Sequence, residues 1–249
     1  MLEIILLSIT QGITEFLPVS SSAHLILVSK FINFNNENLT LDISLHFGSL
    51  LAVLFFFKKE MLNFLNNKSL FLKIIIASLP TIIFGYLFVK LNIIDQLRNI
   101  KVIGFTTIFF GLLLYFSDKS KTNKNIINDF KIKDCVYIGF AQTLSLIPGV
   151  SRSGITITCA RFLTFDRAES AKISFLLSIP TLIAICSYNF IKIVQLNNLQ
   201  ITMQNFIGII LSFAFSLISL KIFVNYLKKF SLVFFVFYRI FLGLLIFTI

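Results

Sequence analysis

The sequence predicts an all-α polytopic membrane protein made of two inverted-topology repeats, each a re-entrant helical hairpin plus three transmembrane helices. Three observations carry that reading. Of the 249 residues, 57% are apolar and 13% charged, with a mean hydropathy of +0.91; a soluble domain carries about 25% charged residues, and too few are present here to cover a water-facing surface. Long windows hold no charge at all: 74–89, 102–117, 135–151, 174–191 and 193–220. A helix needs roughly 20 apolar residues to cross ~30 Å of hydrocarbon, and flanking lysine stems extend the shorter windows. Finally, a motif near the start of the chain returns in its second half.

The elements follow in order. Residues 11–24 read QGITEFLPVSSSAH and residues 142–156 read QTLSLIPGVSRSGIT. Each copy begins with Gln, runs through an apolar stretch to a Pro, and gives Val-Ser-x-Ser: Val19 to Ser22, then Val150 to Ser153, 131 positions later. The apolar pieces around each motif are too short for independent spans. They fit re-entrant hairpins, whose broken backbone is tolerated at membrane depth only where protein or a wet cavity surrounds it. Pro18 and Pro148 supply the breaks. Three long apolar segments then follow each copy, at 42–57, 72–90 and 101–117, and at 168–191, 203–224 and 231–249. This makes one integral membrane domain, 1–249, of two repeats, about 1–124 and about 131–249. An odd number of crossings per repeat turns the second copy over, so the two tips meet near the midplane. Loop charge sets the orientation: 58–73, 118–133 and 221–230 hold four, five and three Lys, whereas 90–101 and 192–204 hold three and one basic residues. The positive-inside rule then puts both termini outside the cytoplasm.

Other classes are excluded by pattern. The net charge of +11 comes from 17 Lys and 5 Arg spread among apolar segments. That distribution suits anionic bilayer lipids and gives no face for nucleic acid. Cys135, Cys159 and Cys186 lie in apolar stretches without metal or redox spacing and read as small core residues. No positive charge precedes Lys30, so the charged leader of a cleavable signal is missing.

The two tips carry the chemistry. The second, Pro148-Gly149-Val150-Ser151-Arg152-Ser153-Gly154-Ile155-Thr156, offers a compact glycine, hydroxyls and a permanent cation before an apolar helix. Free amides, hydroxyl donors and an Arg fork suit a phosphate; the plainer alternative is that Arg152 anchors the chain at the interface and the serines are caps. In the first tip, Gln11 and Glu15 share a helix face and suit a hard divalent cation. His24 is able to exchange protons or attack phosphorus, or is simply a satisfied buried imidazole. Ser20, Ser21 and Ser22 are hydroxyl candidates or caps. Asp42 and His46, four apart, form a second polar face near the site, or a cap and a loop charge. An acid, an imidazole, an arginine and several hydroxyls in lipid match phosphoryl transfer on a bilayer phosphate.

The runs QGITEFLPVSSSAH and PGVSRSGIT, with SFLLSIPT at 174–181 and the Tyr238-Arg239 pair, resemble the undecaprenyl-diphosphate phosphatase (bacitracin resistance) family of bacteria over essentially the whole chain. The resemblance implies two inverted repeats with re-entrant helices in the bacterial inner membrane, a site open to the external face, and often a homodimer. It also implies removal of the terminal phosphate of a polyprenyl diphosphate, undecaprenyl diphosphate, assisted by a divalent cation such as Mg2+ or Ca2+. The product is the monophosphate carrier of peptidoglycan and cell-wall synthesis. Carried to matching positions, Glu15 serves metal binding or activity, His24 with Ser20 and Ser21 lies near the reacting phosphate, and Ser151, Arg152 and Thr156 cradle the diphosphate, with Gly149 and Ser153 beside them. Gln11 stands where many members have Glu, which removes a charge from the metal position. The nucleophile stays open between His24 and a serine. The alternative activity is that of a lipid-phosphate transporter or flippase, which shares the inverted-repeat architecture.

Overall fold

The computed structural model describes residues 1–31, 39–63, 68–195 and 202–248. Apart from an isolated bridge between Lys124 and Phe165, the regular structure of these residues is helical. The helices are α1 (Leu2–Thr14), α2 (Ser21–Phe31), α3 (Leu39–Phe56), α4 (Lys58–Asn63), α5 (Lys68–Lys90), α6 (Ile93–Leu97), α7 (Ile100–Asp118), α8 (Ile126–Asp129), α9 (Ile132–Thr143), α10 (Arg152–Phe162), α11 (Arg167–Gln195), α12 (Met203–Leu227) and α13 (Val233–Ile246). A short 3-10 turn, Leu144–Leu146, follows α9.

Among the described residues, α5, α7, α11 and α12 are long and apolar enough to cross a bilayer. The molecule therefore has the build of a multi-pass membrane protein. The segment expected at 42–57 is α3, of 18 residues, and the one expected at 231–249 forms the shorter α13, of 14 residues. The ends of both have local reasons. The chain turns at Phe57 and restarts as α4. The Asp118 carboxylate accepts the Leu232 amide at 3.1 Å, so the turn after α12 is held and α13 begins late.

Polarity is arranged for a lipid solvent. On α13, Phe234, Phe237, Phe241 and Leu244 form an exposed stripe at helical spacing, while Arg239, Leu242, Gly243 and Ile246 face inward. Apart from Arg239 the helix is apolar on both faces, as suits one packed between protein and lipid. Inside, Phe16, Phe57, Phe175, Phe223 and Phe235 form a chain of aromatic contacts with centroids 5.1–6.1 Å apart. This chain packs the base of the first tip against α11 and α12.

Helix contacts use small residues and buried hydroxyls, since lipid supplies no hydrophobic drive to join helices. On α3 and α12, Ser216 donates to Ser49 at 3.0 Å and Asn205 donates to Ser44 at 3.1 Å. A Cβ at Gly48 would lie 2.5 Å from the Ile209 carbonyl oxygen, and one at Gly139 2.5 Å from that of Ala77. Only glycine permits either backbone approach.

The lysine-rich end of the molecule is locked by one carboxylate. Asp118, at the end of α7, takes Arg167 through Nε at 2.6 Å and Nη2 at 3.0 Å. Arg161 reaches the carbonyls of Phe165, Asp118 and Ser120 at 2.6, 3.0 and 2.7 Å. The cluster ties α7 to the α10–α11 turn and to the start of α13. Asp118→Ala leaves two arginines without their carboxylate and should cost about 3 kcal/mol or more. Chemical unfolding of the detergent-solubilised variant measures this.

Candidate active site

The two tips are built alike. Each enters its second helix through a serine in the left-handed region, Ser20 at φ 75° and Ser151 at φ 72°. A non-glycine residue held there costs roughly 1–3 kcal/mol and persists only when its surroundings fix it. Each also pairs hydroxyls two residues apart, Ser20 with Ser22 at 3.3 Å and Ser151 with Ser153 at 3.2 Å. The Ser151 hydroxyl accepts the Gly154 amide at 3.1 Å and so caps α10. Gly149 sits at φ 90°, where a Cβ would strike the Thr106 hydroxyl and approach the Ile103 carbonyl oxygen to 2.7 Å.

Arg239, fully buried on α13, fixes both tips at once. Its Nη1 donates to the Pro18 carbonyl at 3.3 Å, Nη2 to those of Gly149 and Val150 at 2.9 and 3.0 Å, and Nε to that of Thr107 at 3.1 Å. Thr106 adds a bond to the Pro148 carbonyl at 2.7 Å, and Ser153 joins the tips directly through the Leu17 carbonyl, also at 2.7 Å. In the sequence Arg239 stands out only beside Tyr238, as part of the resemblance. A cation inside an apolar segment was the signal that could have singled it out.

Between the tips, Arg152 Nη2 donates to Glu15 Oε1 at 2.8 Å. Glu15 ends α1 and Arg152 begins α10, so two helix termini from opposite halves of the chain meet there. The other carboxylate oxygen, Oε2, accepts the Ser21 hydroxyl at 2.7 Å and Gln11 Nε2 at 3.0 Å. Two polar atoms of this group are buried without protein partners, Arg152 Nη1 and Gln11 Oε1. One is a cationic donor and the other a neutral acceptor. Orphaned buried groups are rare, and these two are chemically able to meet a phosphate oxygen and a cation or water.

Beside this group lies a cavity of about 1160 Å³. Ser21, Ser22, Pro148, Asp42 and His46 line its inner part, and Leu7, Leu25, Leu41 and Leu45 give it an apolar wall. His46 Nδ1 donates to the Asp42 carbonyl at 2.9 Å and stands 3.5 Å from its carboxylate. The structure thus brings Gln11, Glu15, Ser21 and Arg152 into one hydrogen-bonded group and sets Ser22, Asp42 and His46 on the adjoining wall.

The remaining candidates lie in and around the two tips. His24 turns toward α13: Nδ1 donates to the Ser20 carbonyl at 2.7 Å, Nε2 accepts the Tyr238 hydroxyl at 2.6 Å, and the rings stack at 5.7 Å. Thr156 is fully buried and bonds the Arg152 carbonyl at 2.8 Å and the Ser174 hydroxyl at 2.7 Å. Ser20, Ser151, Ser153 and Gly149 shape the tips.

No three His, Cys, Asp or Glu side chains among the described residues gather where one metal ion could join them. A cation held by one or two protein oxygens and otherwise by phosphate and water, as Mg2+ commonly is, needs less. Glu15 with the unpartnered Gln11 Oε1 fits that demand. The geometry also makes a prediction for the frame. Arg239→Lys keeps the charge but not the planar fork, and should destabilise the protein by about 3 kcal/mol by leaving tip carbonyls unpaired; thermal unfolding in detergent reads the loss.

Residues 4–245 match the family described as Bacitracin resistance protein BacA. The chain is 47% identical to an undecaprenyl-diphosphatase of Pelagibacter ubique over 249 residues, covering 100% of this chain and 97% of that one. It is 40% identical to an undecaprenyl-diphosphatase of Campylobacter concisus, with 97% and 96% covered, and 38% identical to one of Jannaschia sp., with 98% and 96% covered. With the match running nearly end to end and through both tips, the chain belongs to the BacA bacitracin resistance protein family.

Proposed function

We propose that this protein hydrolyses undecaprenyl diphosphate to undecaprenyl phosphate and orthophosphate in the bacterial inner membrane, recycling the lipid carrier for cell-wall synthesis. The observation that carries the reading is the Glu15–Arg152–Ser21 group, with its orphaned guanidinium nitrogen, beside an amphiphilic cavity. The activity printed for the relatives supports it.

Arg152 Nη1 is free to take the first phosphate oxygen, and an arginine fork favours bidentate phosphate over a single carboxylate contact. As the guanidinium turns to the diphosphate, Glu15 loses one partner and keeps Ser21 within hydrogen-bond reach. Ser21, whose Oγ already lies 2.7 Å from Glu15, then attacks the terminal phosphorus. The bond from that phosphorus to the bridging oxygen breaks, polyprenyl phosphate departs, and the serine proton passes to Glu15. Water next adds to the phosphoserine phosphorus, its proton returns to Ser21 Oγ, orthophosphate leaves, and Glu15 releases its proton to solvent. A Mg2+ or Ca2+ ion held by Gln11 Oε1 and Glu15 would supply charge neutralisation on the departing phosphate. In this scheme His24, with both ring nitrogens engaged, steadies Ser20 and the tip and is not the nucleophile.

The inverted repeat belongs to the same reading. With α1, α3, α5 and α7 matched to α9, α11, α12 and α13, the packing of α1 on α12 reappears as α9 on α5. Likewise α3 packs on its mate α11, and α7 on its mate α13. The cavity lining includes Asn92, Arg98 and Thr202, from the two connections poor in basic residues, which the positive-inside rule assigns to the external face.

Purified protein given a polyprenyl diphosphate and Mg2+ should release phosphate, and a chelator should suppress it. Arg152→Ala should lose turnover about 100-fold or more. Acid quench with a labelled terminal phosphate should trap label on the wild type and none on Ser21→Ala. Full turnover by Arg152→Ala would overturn the scheme.

A further inference from the structure

Two helices beside the cavity carry the same interruption. Residues 78–81 read SLPT in α5 and 178–181 read SIPT in α11, so Pro80 and Pro180 each lie inside a long apolar helix. A proline there removes one helical hydrogen bond and crowds the turn before it, which lets the helix change direction. The prolines also divide each helix by its surroundings. Before them, Ile74 and Ala77 of α5 and Phe175, Leu176 and Leu177 of α11 are buried in the main apolar core. From Thr81 and Thr181 onward both helices line the cavity, and no lining residue of either comes earlier.

The space between these two half-helices is apolar and faces outward. Gly85, Tyr86, Ala184, Ile185 and Tyr188 line it. Tyr86, Ile185 and Tyr188 are exposed as well, and so are Ile83 and Ile191, three residues from the tyrosines on the same helices. Nothing from 81 to 89 or from 181 to 191 carries a charge. The other sides of the cavity differ. The wall of Leu7, Leu25, Leu41 and Leu45 is shut, because these side chains are buried and pack as one cluster with Ile4. Asn92, Asn189 and Lys192 make another part polar.

We infer that the gap between α5 and α11 beyond Pro80 and Pro180 is a side portal in which the prenyl chain of the substrate runs from the cavity into the bilayer, with Gly85 and Ala184 setting its width. This rests on the proposed reaction, and it says where the hydrocarbon goes while the diphosphate is held at Arg152 and Ser21. A chain led past the polar lining into water would keep its apolar surface wet, at about 25 cal/mol for each Å². A chain led through the charge-free gap passes from apolar side chains to lipid. Gly85 has no side chain and Ala184 a single methyl, so the two backbones leave room at that level. The tyrosine rings add flat apolar contact and keep a hydroxyl for the wet side.

The test uses the full-length protein in detergent micelles and two substrates with the same headgroup, dimethylallyl diphosphate and undecaprenyl diphosphate. Gly85→Leu and Ala184→Leu narrow the gap; Ile210→Phe, at an exposed position of α12, is the control. A Cβ at Gly85 would meet Leu146 Cδ2 at 3.4 Å, an ordinary contact, so a side chain there enters the gap without a backbone clash. Each gap variant should lower the ratio of kcat/KM for the long chain to that for the short chain about tenfold, and the control should leave it unchanged. An unchanged ratio in both gap variants overturns the inference, as does an equal change in the control. A second readout needs no turnover. Farnesyl phosphate bearing a diazirine at the end of its chain should, on irradiation, label peptides spanning 81–89 and 181–191. Label confined to other segments overturns the portal. Label in those two segments on a wild type that releases no phosphate would sink the proposed reaction and spare the portal.

Discussion

A break in a helix leaves carbonyls that the next turn cannot satisfy, and this protein has one at each tip. Arg239 answers most of that demand with one side chain. Its guanidinium reaches Pro18 in the first tip, Gly149 and Val150 in the second, and Thr107 on the neighbouring helix. The carbonyl dipoles in turn solvate a charge with no carboxylate partner among the described residues. Each part makes the other tolerable: the tips stay open because a buried cation binds them, and the cation stays buried because the tips face it. The strained Ser20 and Ser151 backbones and the close seat of Gly149 depend on this mutual support.

Once the tips are fixed, the chemistry between them is arranged by competition. Glu15 receives three donors, from Arg152, Ser21 and Gln11, which hold its carboxylate firmly. Arg152 nonetheless keeps one buried nitrogen without a partner. In the proposed reaction a phosphate would take that nitrogen and loosen the carboxylate in the same motion, meeting donors already held in place.

The two ends of the molecule are treated oppositely. At the lysine-rich end, Asp118 draws Arg161, Arg167 and the α13 entrance into a closed lattice of bonds. At the other end the helices part around the cavity. A membrane enzyme with a soluble product needs one wet opening, and a second would leak. The dense ion-paired closure and the open polar mouth together give the chamber a single direction.

Solvent was legible from residues alone, and so were the two similar motifs. Charge-free windows specify lipid because no arrangement of this composition covers itself against water, and Val-Ser-x-Ser 131 positions apart marks two tips because a proline-interrupted apolar run is neither span nor loop. The types needed for phosphate chemistry, Glu15, Arg152 and the serines, were visible for the same reason: polar groups at membrane depth are too costly to keep without use. Which of them touch was decided only by the tertiary structure. Spacing along the chain says nothing about partners 137 residues apart, and it was packing that set Arg152 on Glu15, turned His24 away to Tyr238, sank Thr156 behind its helix, and left Ser21 facing the cavity. Composition and periodicity report the solvent each segment prefers, whereas a hydrogen bond depends on distances of a few tenths of an ångström, and those exist only after the helices have packed.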